Sequence, residues 1–128
     1  MALILVVDDD PGVRAVISRV LLKAGHQVVL AADGASGLAT YRELAPDLAL
    51  VGQFMPEMDG CQLMRQFTAL APTMPVLLMV SVPSAAREER GPVSDMIVKP
   101  FGADALVAAV TVALSRISPP DRGQGYAS

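Results

Sequence analysis

The sequence predicts an α/β domain: a doubly wound, five-stranded parallel sheet with helices on both faces. Two observations predict it. Short apolar runs alternate with helical patterns along the whole chain. The runs are continuous rather than alternating, as in strands buried on both faces.

The elements follow in order. Leu3 to Val7 is the first apolar run. Asp10 then offers an N-cap, with Pro11 at the first helical position. Val13, Ile17, Val20, Leu21 and Ala24 follow at helical spacing, and Gly25 ends that helix. Gln27 to Ala31 is the second strand, and Asp33-Gly34 a turn. Ala35, Leu38, Ala39 and Arg42 mark the stripe of a second helix, closed by Pro46. Leu48 to Val51 is the third strand. Gly52 to Gly60 is a loop by its Pro and Gly content, with Asp59-Gly60 capping a third helix over Leu63, Met64, Phe67 and Leu70. Pro75 to Val80 is the fourth strand and Asp95 to Val98 a short fifth. Between them, Ser84 to Ser94 has room only for a short or irregular helix. Ala103 to Ile117 is the last helix, capped by Gly102 or Asp104.

The length of 128 residues suits one domain, assigned to residues 1–117. Residues 118–128 hold two prolines and two glycines and read as a flexible tail or a truncated linker. With 52% AVILMFWYC residues and 18% charged ones, the chain can build a core. No apolar run is long enough to span a bilayer, and the N-terminus lacks the basic start of a signal peptide. Cys61 is the only cysteine, which fits a reducing, cytoplasmic setting. A net charge of -3 points to neither nucleic acid nor an anionic membrane.

In parallel sheets of this kind, ligands meet the carboxyl ends of the strands. The residues at those ends are Asp8 and Asp9, Asp33, Gly52, Val80 or Ser81, and Lys99. Adjacent carboxylates repel unless a cation stands near. A hard ion such as Mg²⁺, or the ammonium of Lys99, would relieve Asp8 and Asp9. The plainer alternative has Asp9 or Asp10 capping the next helix and Asp8 solvated. Lys99 lies between Ile97-Val98 and Pro100-Phe101, which argues against a free surface charge; the alternative is a stem on the sheet with its head in water.

Four motifs then resemble the receiver domain of bacterial two-component response regulators. They are Ile4-Leu5-Val6-Val7-Asp8-Asp9-Asp10-Pro11, Pro46-Asp47-Leu48, Met55-Pro56-Glu57-Met58-Asp59-Gly60 and Val98-Lys99-Pro100-Phe101. The resemblance covers about residues 2–117. It implies a flavodoxin-like sheet in the order 2-1-3-4-5. It implies an aspartate ending strand 3 that takes a phosphoryl group from a histidine kinase. It also implies Mg²⁺ on the strand-1 acids and a strand-5 lysine on the phosphoryl group. A strand-4 Thr or Ser and a strand-5 aromatic would relay the change, and Lys99-Pro100 would be cis.

The pattern breaks at its centre. Counts from Pro46 and from Pro56 both place the acceptor at Gly52, which has no side chain to phosphorylate. Gln53 carries only an amide, and Glu57 lies beyond the turn. Counted from Pro75, the strand-4 hydroxyl falls on Val80, with Ser81 next, and the aromatic position is Met96. These departures suggest an atypical receiver acting as a phosphorylation-independent protein-interaction module, not an enzyme. No cofactor is then required; Mg²⁺, held by Asp9, Asp8 and the Phe54 backbone carbonyl, would bind weakly or not at all. Expected partners are a histidine kinase, an output domain or another regulator, or a second copy through the last strand and helix, whose residues are apolar nearly all round. Two alternatives remain: a receiver phosphorylated on Asp8 or Asp9, and a haloacid-dehalogenase-type phosphatase with Asp8 as nucleophile and Asp10 as acid-base. His26 and Cys61 read as structural, and the methionines as core or loop filler, with Met55 and Met58 flanking an exposed turn.

Overall fold

The computed structural model describes residues 2–80 and 94–117. Strands β1 (Leu3–Val7), β2 (Gln27–Ala31), β3 (Leu48–Gly52), β4 (Val76–Val80) and β5 (Ser94–Val98) form one parallel sheet in the order β2-β1-β3-β4-β5. Helices α1 (Pro11–Lys23), α2 (Gly34–Leu44), α3 (Gly60–Leu70) and α4 (Ala103–Ile117) cover it. Ser81, the expected irregular segment before Ser94 and the expected tail 118–128 lie outside the described residues.

Alternation along the strands splits the core in two. Leu5, Val7, Ala49, Val51, Leu78 and Val80 pack with Leu38, Leu63 and Phe67 from α2 and α3. Ile4, Val6, Leu48, Leu50, Met79 and Ile97 pack with Ile17, Leu21, Leu106 and Val110 from α1 and α4. β1, β3 and β4 are therefore apolar on both sides, which is why their sequences do not alternate. Each fully buried Leu or Phe contributes about 1.5–3 kcal/mol of apolar burial.

The helix ends follow the local sequence. The Asp10 side chain accepts from the Gly12 and Val13 N–H groups at 2.8 and 3.4 Å, and Pro11 opens α1. Gly25, just past α1, takes φ 99°, where a side chain would be strained. Asp59 and Gln62 exchange bonds in a capping box at α3.

One expectation needs correction. In α2, Ala35, Ala39 and Arg42 are exposed, and the buried stripe is Gly34, Gly37 and Leu38. Glycine carries no hydropathy signal, yet here it permits close packing: a Cβ on Gly37 would stand 2.9 Å from Val7 Cγ2. Met55 and Met58 flank the exposed Pro56-Glu57 turn as expected, with Met55 buried in the core and Met58 half-buried against it.

Candidate functional site

β1 feeds β2 on one side while β3 lies on its other side, so the crevice opens where the order reverses, at the carboxyl ends of β1 and β3. Asp8 and Gly52 meet there, one step beyond the Val7–Val51 pair. Both continue the face that Ile4 and Val6, or Leu48 and Leu50, present to α1 and α4. Lys99 follows Ile97 on the same face.

Asp8 is buried, with 3% of its surface exposed. A buried carboxylate is costly unless it is bonded and neutralised, and this one is both. Its Oδ1 accepts the Asp10 N–H at 2.9 Å, and its Oδ2 takes the Lys99 Nζ at 3.3 Å. Its carbonyl accepts Arg14 Nη1 at 2.7 Å, and its N–H bonds the Ala31 carbonyl at 3.1 Å. Lys99 is fixed in turn by its N–H on the Val80 carbonyl at 2.7 Å, and Lys99-Pro100 is cis.

Gly52 faces this carboxylate. A Cβ added there would stand 2.6 Å from Asp8 Oδ2 and 3.1 Å from Asp8 Cγ. The Asp8 carboxylate thus fills the place that a side chain at 52 would need. From the other direction α3 presses on the same strand end: a Cβ on Gly60 would run into the Gly52 carbonyl.

The other residues singled out in the sequence are not part of the Asp8–Lys99 ion pair. Asp9 is exposed, and Asp10 is exposed and engaged as the α1 cap. Glu57 is exposed at φ 69°, and Phe54 is 70% exposed. Val80 does not face the site. The register pairs Gly52 with Met79, and Val80 packs in the core on the α2/α3 side, as Met96 does against that same cluster. The sheet register sets which β4 side chains share a face, and it puts Met79 rather than Val80 on the Gly52 side. Asp33 caps α2, and the Ser36 N–H holds its carboxyl below the usual range. His26 Nδ1 accepts the Ala2 N–H at 3.2 Å; burial, then the chain's terminal ammonium, lowers its pKa. Cys61 is half-buried in α3.

Sequence reasoning missed two residues. Arg14 reaches back from the first turn of α1 to the Asp8 carbonyl, and the sequence carried no signal for that contact. Gln53 is 7% exposed, and its Oε1 has no hydrogen-bond partner among the described residues. Its backbone is tied on both sides, to the Met79 carbonyl at 3.1 Å and the Gly60 N–H at 2.8 Å.

Comparison with known proteins decides the family. The model of the response regulator receiver domain matches residues 4–111. The chain belongs to that family. Transcriptional regulatory protein GlrR of Escherichia coli is 36% identical to this receiver over 119 residues, which is 91% of this chain and 27% of the relative. Response regulator MprA of Mycobacterium bovis is 32% identical over 127 residues, covering 97% of this chain and 55% of the relative. The receiver therefore spans only about a quarter to a half of these relatives. Among solved structures, Vibrio cholerae chemotaxis protein CheY4 superposes with a TM-score of 0.81 at 26% identity, over 88% of this receiver and 98% of that chain. The receiver domain of NtrX from Brucella abortus superposes at 0.80 with 29% identity, over 88% and 98%. No helix among the described residues is long and apolar enough to cross a membrane.

Proposed function

We propose that this receiver is phosphorylation-independent: it does not take a phosphoryl group at the end of β3, and it acts by binding other proteins in the cytoplasm rather than as an enzyme. One observation carries the reading. The β3 terminus is Gly52, and the space beside it holds an Asp8 carboxylate already neutralised by Lys99. A nucleophile is absent, and the group nearest its place is spoken for.

The same geometry argues against the substitute acceptors. Asp8 is buried and each of its oxygens is already engaged, which shields it from a phosphoryl donor, whether in a phosphorelay or as a phosphatase nucleophile. Asp9 is exposed, and the ion pair of Lys99 is made with Asp8. Partners would be a kinase, an output domain or another regulator. Val98 and Val112, 42% and 51% exposed on β5 and α4, offer apolar contact to such a protein or to a second copy.

A ligand moves an equilibrium only through unequal affinity for two states. Without an acceptor, a phosphoryl analogue has no such lever here. Beryllofluoride with Mg²⁺ should leave the amide shifts of residues 94–117 unchanged. Large shifts reaching Met96 would overturn the proposal.

A further inference from the structure

The family implies a divalent cation beside the strand-1 acids, and the donor set of this receiver does not fit one. Mg²⁺ demands near-octahedral oxygen ligands and is usually held by one or two carboxylates together with several waters. Among the described residues no group of three His, Cys, Asp or Glu side chains could hold a metal ion. Asp8 Oδ2 is taken by the Lys99 ammonium at 3.3 Å and Oδ1 by the Asp10 N–H at 2.9 Å. The Asp8 side chain is 4% exposed, which leaves little room for a hydrated ion. The guanidinium of Arg14, 2.7 Å from the Asp8 carbonyl, adds a second positive charge at the same strand end. An incoming dication would have to displace one cation and settle beside another.

We infer that Lys99 is the resident cation of this pocket: its ammonium replaces the divalent ion, so the Asp8 carboxylate is neutralised without metal. The inference rests on the reading of Gly52 as a lost carboxylate, and it adds what fills the electrostatic role. Lys99 is suited to it. Its backbone is bonded to the Val80 carbonyl and its side chain is only 31% exposed, so the charge is delivered by the fold rather than by solution. Asp8 is the one buried carboxylate among the described residues, and one positive charge suffices to balance it.

The test uses the full chain. Thermal unfolding and amide spectra of the parent are recorded with and without millimolar MgCl₂ at matched ionic strength. The expected result is no change in melting temperature and no saturable shift at residues 7–10 or 52–54. The Lys99→Met variant should melt lower by roughly 4 °C or more, since it strands a buried charge. Adding Asp8→Asn to it should recover most of that loss, because the amide needs no counter-ion. Saturable Mg²⁺ shifts at Asp8 in the parent overturn the inference, and so does a double variant no more stable than Lys99→Met. Should Lys99→Met fail to fold, the parent titration and the double variant still decide. Parent Mg²⁺ binding without phosphoryl uptake would remove this inference and leave the proposed function standing; phosphoryl uptake on Asp9 with no Mg²⁺ shift at Asp8 would do the reverse.

Discussion

Replacing Gly52 separates the steric and electrostatic contents of the pocket. A Cβ at 52 would lie 2.6 Å from Asp8 Oδ2, about 0.8 Å short of the 3.4 Å at which ordinary contact begins. The carboxylate must retreat, and it is tethered at 3.3 Å to Lys99 and at 2.9 Å to the Asp10 N–H. Overpacking of this kind costs about 1–3 kcal/mol. Removing a glycine from a strand returns roughly 0.5–1 kcal/mol through the unfolded chain. Gly52→Ala should therefore lose about 1–2 kcal/mol net. Gly52→Asp adds a second carboxylate. Two charges about 4 Å apart repel by about 4 kcal/mol at an effective dielectric constant near 20, and Lys99 offsets part of this. Gly52→Asp should thus be less stable than Gly52→Ala by about 1–3 kcal/mol in metal-free buffer, some 4 °C of melting temperature per kcal/mol. Urea unfolding of the three proteins measures this directly, with an unchanged slope as the control. Mg²⁺ should stabilise Gly52→Asp, which regains a second pocket carboxylate, and leave Gly52→Ala and the parent untouched. The reasoning fails if metal-free Gly52→Asp equals or exceeds Gly52→Ala, for Asp8 would then be free to swing out of the place assigned to it.

Two further outcomes test the frame around the pocket. Asp59→Ala removes the carboxylate that caps α3 at 2.9 Å and should cost about 1 kcal/mol by urea unfolding; an unchanged midpoint would mean that the capping box carries no weight. His26 should titrate below 6.5 by NMR, because burial opposes its charged form. Its folded pKa is depressed, so the unfolded chain binds the proton first. Stability present above pH 6.5 is accordingly lost as pH falls below that value. His26→Gln should flatten that part of the pH profile, and a midpoint at or above 6.5 would contradict the assignment.

Much of this arrangement was legible in the sequence because it is written in side chains with strong local signals. Asp10-Pro11 marks a helix start, continuous apolar runs mark buried strands, and Lys99 beside Pro100 marks the end of β5. The rest depends on what is absent or distant. The buried face of α2 is written partly in glycine, whose contribution is the space it leaves for Val7. The side chains of β4 that face the site follow from its pairing with β3, a contact between positions far apart in the chain. Arg14 acts through a backbone carbonyl, which no residue pattern records. Gln53 looked like a loop amide next to a glycine; its burial is set by bonds to Met79 and Gly60 that only the folded chain brings together.

The central claim is that this receiver has no acceptor, and intact mass spectrometry tests it most directly. The full chain is incubated with acetyl phosphate and Mg²⁺ and weighed. With Gly52 at the end of β3 and Asp8 held by Lys99, the mass should remain that of the untreated protein. A stoichiometric gain of one phosphoryl group, mapped to Asp8 or Asp9, would contradict the account.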